Sequence, residues 1–419
     1  MAKFLVRPLF GSSEYPRGQT RTSSAPKRKP KHSSHSLTST KPTTPPEPDE
    51  VEISLFGPGF GECVVAHAGL GDWIIIDSCL SPDDRLPASL KYLRELGVDV
   101  VTSVKRIIAT HWHNDHVRGI SQTVAECQSA KFICSQALWS KEFIALTDLW
   151  RRQRLGTSPV TELTAVLDII SKSQTIVKGS AGESPLGFAI ANRCLWRRGI
   201  VGNFKMDTSA ELHSLSPSDA AVQQSLQTIA KLFPPKEVLR HPLPSRPNQF
   251  SVVLWLRVGS IRVLLAADME EQHNPSGGWT VIVGSVERPQ GRSSLFKIPH
   301  HGSVTGECEA VWRTMLAGNP VALLTPFHSG RTKLPKKQDS DRICGRTSAA
   351  FITSRFRDSS SRGKTGSVNR TIRETVRYIR RANDGFGHIR ARRKITQDAG
   401  EWSVATFGDA IPLTELYGK

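Results

Sequence analysis

The alternation of apolar and polar positions along the chain predicts a structured middle between two flanks of different texture. From Val51, short β-type runs broken by glycine, "VEISLFG", "GECVVAHA" and "GDWIIIDS", predict two or three adjacent strands ending at Asp77. In "PASLKYLRELGV", Leu90, Leu93 and Leu96 recur at helical spacing and Gly97 closes the pattern, so a helix is expected there. "VKRIIATH" reads as a buried strand that runs straight into a histidine cluster. Helical patterns follow in "SQALWSKEFIALTDLWRRQRL" and "VTELTAVLDIISKSQ". Strand patterns then return in "AELHSLSP", "FSVVLWLRV" and "IRVLLAAD", the last two joined by a Gly-Ser turn, and again in "SSLFKIPHHGS" and "PVALLTPF". One further amphipathic helix is expected at "TIRETVRYIRRA". Strands alternating with helices predict an α/β layered architecture, and no repeat of fixed period is present.

The first 48 residues lack this patterning. They are rich in Ser, Thr, Pro and Lys, with too few apolar positions to offset the entropy of ordering, so a disordered tail is expected. "MAKFLVRPLFG" has no apolar run long enough for a secretory signal; an Arg/Ser-rich, acid-poor start leaves an organelle transit peptide as a minor alternative. No stretch approaches the ~18 to 20 apolar residues of a membrane span. The seven cysteines are odd in number and scattered without CxxC spacing, which argues against both a cysteine zinc finger and a disulfide framework. A reducing compartment, the cytoplasm, is the expected location.

Charge changes the picture at both ends. Of a net +18, residues 1–50 carry an excess of five positive charges and residues 326–400 an excess of thirteen, so the middle is close to neutral. Basic flanks attract polyanions, nucleic acid foremost, through phosphate contacts and counterion release, although such runs are often only solvating. Read together, pattern and charge divide the chain into a tail at 1–48, a folded domain at 49–330 with a helical insertion at about 135–205, and a basic C-terminal extension at 331–419.

The candidate chemistry lies where strands end. "IIATHWHNDHVRGI" places His111, His113, Asp115 and His116 within six positions; a second strand ends at Asp268 and a third at His300 and His301. Neutral imidazoles and ionised carboxylates are the donors that zinc, manganese or iron accept, and strand ends hold them rigidly while loops leave one side open. A bound ion lowers the pKa of water from 15.7 towards about 7, supplying hydroxide at neutral pH. Two other features carry less. "GPGFGE" at 57–62 is followed by a strand, not a helix, so it reads as a tight turn or close backbone approach and not as a dinucleotide loop. Trp139, Trp150 and Trp196 read as packing residues, and "YIRRANDG" as a solvated helix face.

The HxHxDH pattern at His111–His116 resembles the signature of the metallo-β-lactamase superfamily, and "KIPHHGS" with the preceding "NQFSVVLWLRVGSIRVLLAADME" resembles the soluble domain of DNA-uptake competence proteins. The resemblance spans roughly residues 51–325 and implies a four-layer αβ/βα sandwich holding two divalent ions, Zn2+ or alternatively Mn2+. Carried over, it makes His111 and His113 ligands of a first metal, Asp115 and His116 ligands of a second, and Asp268 a bridging carboxylate. Either His300 or His301 joins the second site, while Asp77 accepts a hydrogen bond from a ligand histidine. Asp115 and Asp268 are the expected catalytic carboxylates. The sequence departs from the family in one respect: a further histidine is usual between the cluster and the bridging aspartate, and only His213 and His241 lie there. The implied activity is hydrolysis by a metal-activated hydroxide, with a nucleic-acid phosphodiester as the leading substrate. A small-molecule ester, lactone or phosphoester hydrolase, and a non-catalytic nucleic-acid-binding or assembly module, are the alternatives.

Overall fold

A computed structural model describes residues 42–136, 158–176, 184–201, 206–230, 247–356, 385–395 and 400–418. The expected tail, up to residue 41, lies outside the described residues, as do the helix expected at 135–155 beyond its first two residues, the helix expected at 371–382 and the tryptophans 139 and 150. One sheet is built mainly from the first half of the chain: β1 (Glu50–Gly57), β2 (Cys63–Ala68), β3 (Trp73–Ile76), β4 (Val104–Ala109), β5 (Lys131–Ser135) and β6 (Leu186–Ala189). The other takes β7 (Arg193–Arg198), β8 (Ala210–Ser214), β9 (Leu254–Val258), β10 (Ile261–Leu265), β11 (Ser293–Lys297) and β12 (Leu316–Leu324). A short hairpin of β13 (Phe327–Ser329) and β14 (Thr332–Leu334) follows, and β15 (Ala350–Ile352), β16 (Gly387–Lys394), β17 (Ser403–Gly408) and β18 (Ile411–Pro412) return to the sheets. The strand orders are β17-β16-β1-β2-β3-β4-β5-β6 and β18-β15-β12-β11-β10-β9-β8-β7. Between the strands of the first sheet come the helices α1 (Ala88–Glu95), α2 (Val100–Ser103), α3 (Asn114–Val117), α4 (Ile120–Glu126) and α5 (Ser158–Ile176).

Period-2 alternation decides which side of each strand is covered. Val51, Ile53 and Leu55 of β1 and Leu254, Leu256 and Val258 of β9 point into one core between the sheets. The opposite face of the first sheet buries Val65, Ile75 and Ile107 under α1, α4 and α5, whose Leu90, Leu93, Ile120, Leu163 and Val166 join the same cluster. That of the second sheet buries Trp255, Leu264 and Phe296 against helical residues Trp279, Ile282, Val311 and Ile343. The result is the expected four-layer αβ/βα sandwich. At roughly 25 cal/mol per Å2 of apolar surface removed from water, these three cores supply the main force holding the layers together.

Two boundaries differ from expectation. The stretch set apart as a helical insertion contains one described helix, α5, but then supplies β6, paired with β5, and β7, paired with β8. Asn192, at φ 60°, turns the chain between them from one sheet to the other. The basic region 331–419 is likewise not an appendage, because β16 pairs along all of β1 and β15 pairs with β12. Charge counting hid the alternation in "GHIRARRK": Ile389 and Ala391 face the inter-sheet core while Arg390 and Arg392 alternate with them on the other face of the strand. Of these, Arg392 pairs with the buried Glu52 and donates to the carbonyls of Thr44 and Pro45, and Arg390 donates to the carbonyl of Pro42.

Strands β3 to β6 run parallel, as do β10, β11, β12 and β15. The carboxyl ends of β3 and β4 in one sheet and of β10, β11 and β12 in the other therefore open on one edge, the place where parallel sheets present side chains to ligands.

Candidate metal centre

Every expected ligand within the described residues follows one of these strand ends. Asp77 follows β3, and Thr110 and His111 follow β4. The single turn α3 carries Asp115 and His116, with His113 at its N-cap. Asp268 follows β10, and His300 and His301 follow β11. Of eight described non-glycine residues with positive φ, four are here: Asp77 (59°), Ala267 (46°), His300 (47°) and His301 (52°). Left-handed backbone at such residues costs about 1–3 kcal/mol each and persists only where surrounding structure enforces it, which marks this edge as the functional one. Gly302 completes the strained turn at φ 80°, where a Cβ would stand 3.0 Å from Leu324 Cδ1.

The side chains converge on Asp268. Its Oδ2 lies 3.9 Å from His111 Nε2, 3.5 Å from His116 Nε2 and 3.5 Å from His301 Nε2. Asp115 Oδ2 is 3.3 Å from His301 Nε2 and 3.8 Å from His116 Nε2. His111 Nε2 and His113 Nδ1 face each other at 3.1 Å. Three donor groups result: one of His111, His113 and Asp268 and one of Asp115, His116, Asp268 and His301, which share the aspartate, and one of Glu62, Asp77 and His116, which lacks it. His116 Nε2, His301 Nε2 and Asp268 Oδ1 are buried with no hydrogen-bond partner. Ligands at 2.0–2.2 Å around a tetrahedral ion stand roughly 3.3–3.6 Å apart, so the second group is spaced for a divalent cation, and its orphaned atoms are the ones a cation would satisfy.

The backs of the rings are fixed by partners. Asp77 Oδ2 accepts from His116 Nδ1 at 2.8 Å and from Thr110 Oγ1 at 2.7 Å, and its Oδ1 accepts from the Thr110 amide at 2.8 Å. His301 Nδ1 lies 3.2 Å from the Thr325 carbonyl, which can only accept; Nδ1 therefore carries the proton and Nε2 presents the ligand lone pair. Asp77 is expected from sequence to accept a hydrogen bond from a histidine of the cluster, and His116 lies in hydrogen-bond contact with it.

Burial and charge divide the imidazoles into two kinds. Burial, with His116 and His113 as neighbours, pushes His111 well below the usual imidazole range, and burial also lowers His113. Both therefore favour the neutral imidazole, the form a metal ion accepts. Burial pushes His116 down too, but Asp268, Asp115 and Asp77 outweigh it and raise it well above the usual range; for His301 the same contest, won by Asp268 and Asp115, ends at about 9. Burial raises the carboxylates, yet His116 and His301 hold Asp115 below its usual value and Asp268 far below. Without a cation, imidazolium protons fill that place. The His301 contribution to stability is complete below the unfolded histidine pKa of about 6.5 and is lost as pH rises through about 9. Zn2+ uptake at the second group is therefore expected to release protons and to strengthen from pH 6 towards 9. Calorimetry in buffers of different ionisation enthalpy measures this, and a pH-independent affinity would contradict it.

The family model for the metallo-β-lactamase superfamily matches residues 56–135, the stretch from the end of β1 through β5 that contains His111–His116. The chain carries the metallo-β-lactamase fold. Among solved structures it is similar to the metallo-β-lactamase-fold protein YhfI from Bacillus subtilis, at 12% identity and TM-score 0.35, covering 73% of this chain and 95% of that one. It is also similar to a B3 metallo-β-lactamase with an active-site glutamic acid, at 12% identity and TM-score 0.30, covering 62% and 80%. For the dizinc quorum-quenching lactonase AidC the values are 15% identity and TM-score 0.26, covering 50% of this chain and 56% of that one. No curated protein matches the sequence.

Within this metallo-β-lactamase fold, the structure brings His111, His113, Asp115, His116, Asp268 and His301 together. His300 does not join them. Its Nδ1 lies 2.8 Å from Thr305 Oγ1 and 3.1 Å from Glu270 Oε1, and its Nε2 lies 3.3 Å from Asn248 Nδ2. The expectation that kept His300 among the candidate ligands is corrected accordingly: the left-handed turn points the two neighbouring rings to different partners. His213 lies on β8 with its Nε2 3.4 Å from Glu211, and is not part of the cluster; His241 lies outside the described residues. Sequence reasoning missed Glu62, Lys297, Thr110 and Thr325. The burial of Lys297 behind Asp268 was signalled only by a lone charge in the apolar run "SSLFKI". All seven cysteines are free, and among the described residues no helix is long and apolar enough to cross a membrane.

Proposed function

We propose that the chain is a metal-dependent phosphodiesterase acting on nucleic acid in a reducing compartment, the cytoplasm. Divalent ions held by the His/Asp cluster would supply water activation and charge compensation at phosphorus. Asp268 and Asp115, kept ionised by their imidazole neighbours, hold the cluster together, and an Asp115 carboxylate oxygen accepts a proton from the attacking water. The observation that carries the nucleic-acid reading is the β13–β14 hairpin beside this centre. Its Phe327 ring lies 5.2 Å from the His301 ring and 5.7 Å from that of Phe60, and the His328 amide donates to Gly59 at 2.8 Å. Beyond these aromatics the loop exposes Arg331 and Lys333, followed by exposed Lys336. Rings that can stack on bases beside cations that can meet phosphates form a footprint for a single strand. Within the basic C-terminal region it is this hairpin that carries the reading, since Arg390 and Arg392 are engaged inside the fold.

The test is a triple variant, R331A/K333A/K336A, assayed on a single-stranded oligonucleotide and on bis-nitrophenyl phosphate. The oligonucleotide KM is expected to rise at least tenfold, with the logarithmic salt slope shallower by about 2, as for three lost single-strand phosphate contacts at ~0.7 each. Hydrolysis of the small diester should be unchanged. If a lactone or small ester is turned over and neither phosphodiester is, the small-molecule reading replaces this one; binding of nucleic acid with no turnover of any of them would favour the binding module.

A further inference from the structure

We infer that Glu62, in the glycine-rich loop between β1 and β2, is the positioning residue that assembles the second metal site from both sheets. This rests on the binuclear reading of the cluster. Glu62 reaches three of the four donors of that site. Its backbone N–H donates to the Asp115 carbonyl at 2.8 Å. Its Oε1 takes the Lys297 ammonium at 2.5 Å; that same ammonium donates to the Ala267 carbonyl at 2.9 Å and stands 3.9 Å from Asp268 Oδ1. Its Oε2 accepts from Thr325 Oγ1 at 2.6 Å. Because the single Thr325 hydroxyl proton is committed to Glu62, that oxygen faces His301 Nδ1, 3.0 Å away, as an acceptor.

One residue, through its backbone N–H and its carboxylate, thus ties a helix of the first half of the chain to the ends of β10, β11 and β12. Glu62 is 2% exposed and Lys297 1% exposed, so water cannot replace either partner. An unpaired ammonium in that position would leave an added positive charge beside the shared aspartate and oppose cation binding. The loop backbone suits this role. Gly61 has φ 134°, and a Cβ there would stand 2.8 Å from Cys79 Cβ, so the backbone delivering Glu62 packs against the start of the segment after Asp77. His113 and His111 have no such tie to Glu62, which reaches the first group only by way of Lys297 and the shared Asp268, so the second ion takes the larger effect. The remaining donor, His116, is held separately by Asp77.

The experiment titrates full-length wild-type protein, E62Q, E62D and T325V with Zn2+ alone and with Co2+ alone, following ion stoichiometry by elemental analysis, affinity by calorimetry and the Co2+ absorption bands. Wild type should take up two ions. In E62Q the first ion should remain and the second weaken by about 10–100-fold, the range found for partners behind ligands. E62D should recover part of the loss, and T325V, which cuts only the His301 arm, should weaken the second ion alone. E62Q holding two ions at wild-type affinity would overturn the proposal, as would equal weakening of both ions, which would make Glu62 a packing residue. Should E62Q fail to fold, T325V decides, and an unaltered second ion there overturns it. Wild type that binds no ion would overturn the centre itself, a different failure from an unaltered E62Q.

Discussion

Replacing Asp268 by alanine is expected to remove both ions from the protein and to reduce hydrolysis by roughly 1,000-fold or more. The reason is geometric: one oxygen, Oδ2, lies within 3.9 Å of the ligand nitrogens of His111, His116 and His301. No other residue is shared by the first and second donor groups. Losing several kcal/mol of charge compensation at the reacting centre corresponds to a rate loss of that order. The fold should survive, because Lys297 keeps Glu62 as its partner and His116 keeps Asp77. Elemental analysis, turnover and melting measure the three parts of the expectation. Wild type should melt higher with Zn2+, by about 2.7 kcal/mol of stability at 100 times Kd, and the variant should not. An Asp268→Ala protein that still carries two ions would remove the bridging role.

The elements that position the centre were legible because their patterns are local. The alternation in "VEISLFG" and the apolar run before His111 specify strands without reference to anything distant, and the tight His111–His116 spacing survives folding because the end of β4 runs almost directly into the single turn α3. The errors came from pairing, which is not local. Nothing in "LGFAIANRCLWRR" states that its two halves enter different sheets, and "GHIRARRK" reads as a basic run until β1 is placed beside it. Charge there measures composition, whereas burial depends on which residues sit opposite.

The site was legible to the same extent. Ligand types and strand-end positions followed from the sequence, but the residues behind them did not, because Glu62, Lys297 and Thr325 meet only in three dimensions; Thr325 is 263 positions from Glu62. A glutamate closing a glycine-rich turn reads as an ordinary loop residue. Only its burial beside a buried lysine shows that its charge is used.

The choice between the two late histidines cannot be made from spacing, because they are neighbours, and it leads to a sharp contrast. His301→Ala should lose the second ion, with affinity falling by more than the roughly 10–100-fold that removing a partner behind a ligand costs, since its Nε2 stands 3.3 Å from Asp115 and 3.5 Å from Asp268. His300→Ala should keep both ions. Its ring is tied instead to Thr305, Glu270 and Asn248, outside the cluster. The two residues make a matched pair for this purpose: they are adjacent, and both adopt left-handed φ, 47° and 52°. Alanine therefore meets the same backbone strain at either position, and the difference between the variants reads the imidazoles and not the turn. Co2+ titration of both proteins, with melting as a check on folding, measures the contrast. Should His300→Ala lose the second ion while His301→Ala retains it, the assignment of ligands at the end of β11 would have to be exchanged, and with it the path by which Glu62 reaches the metal.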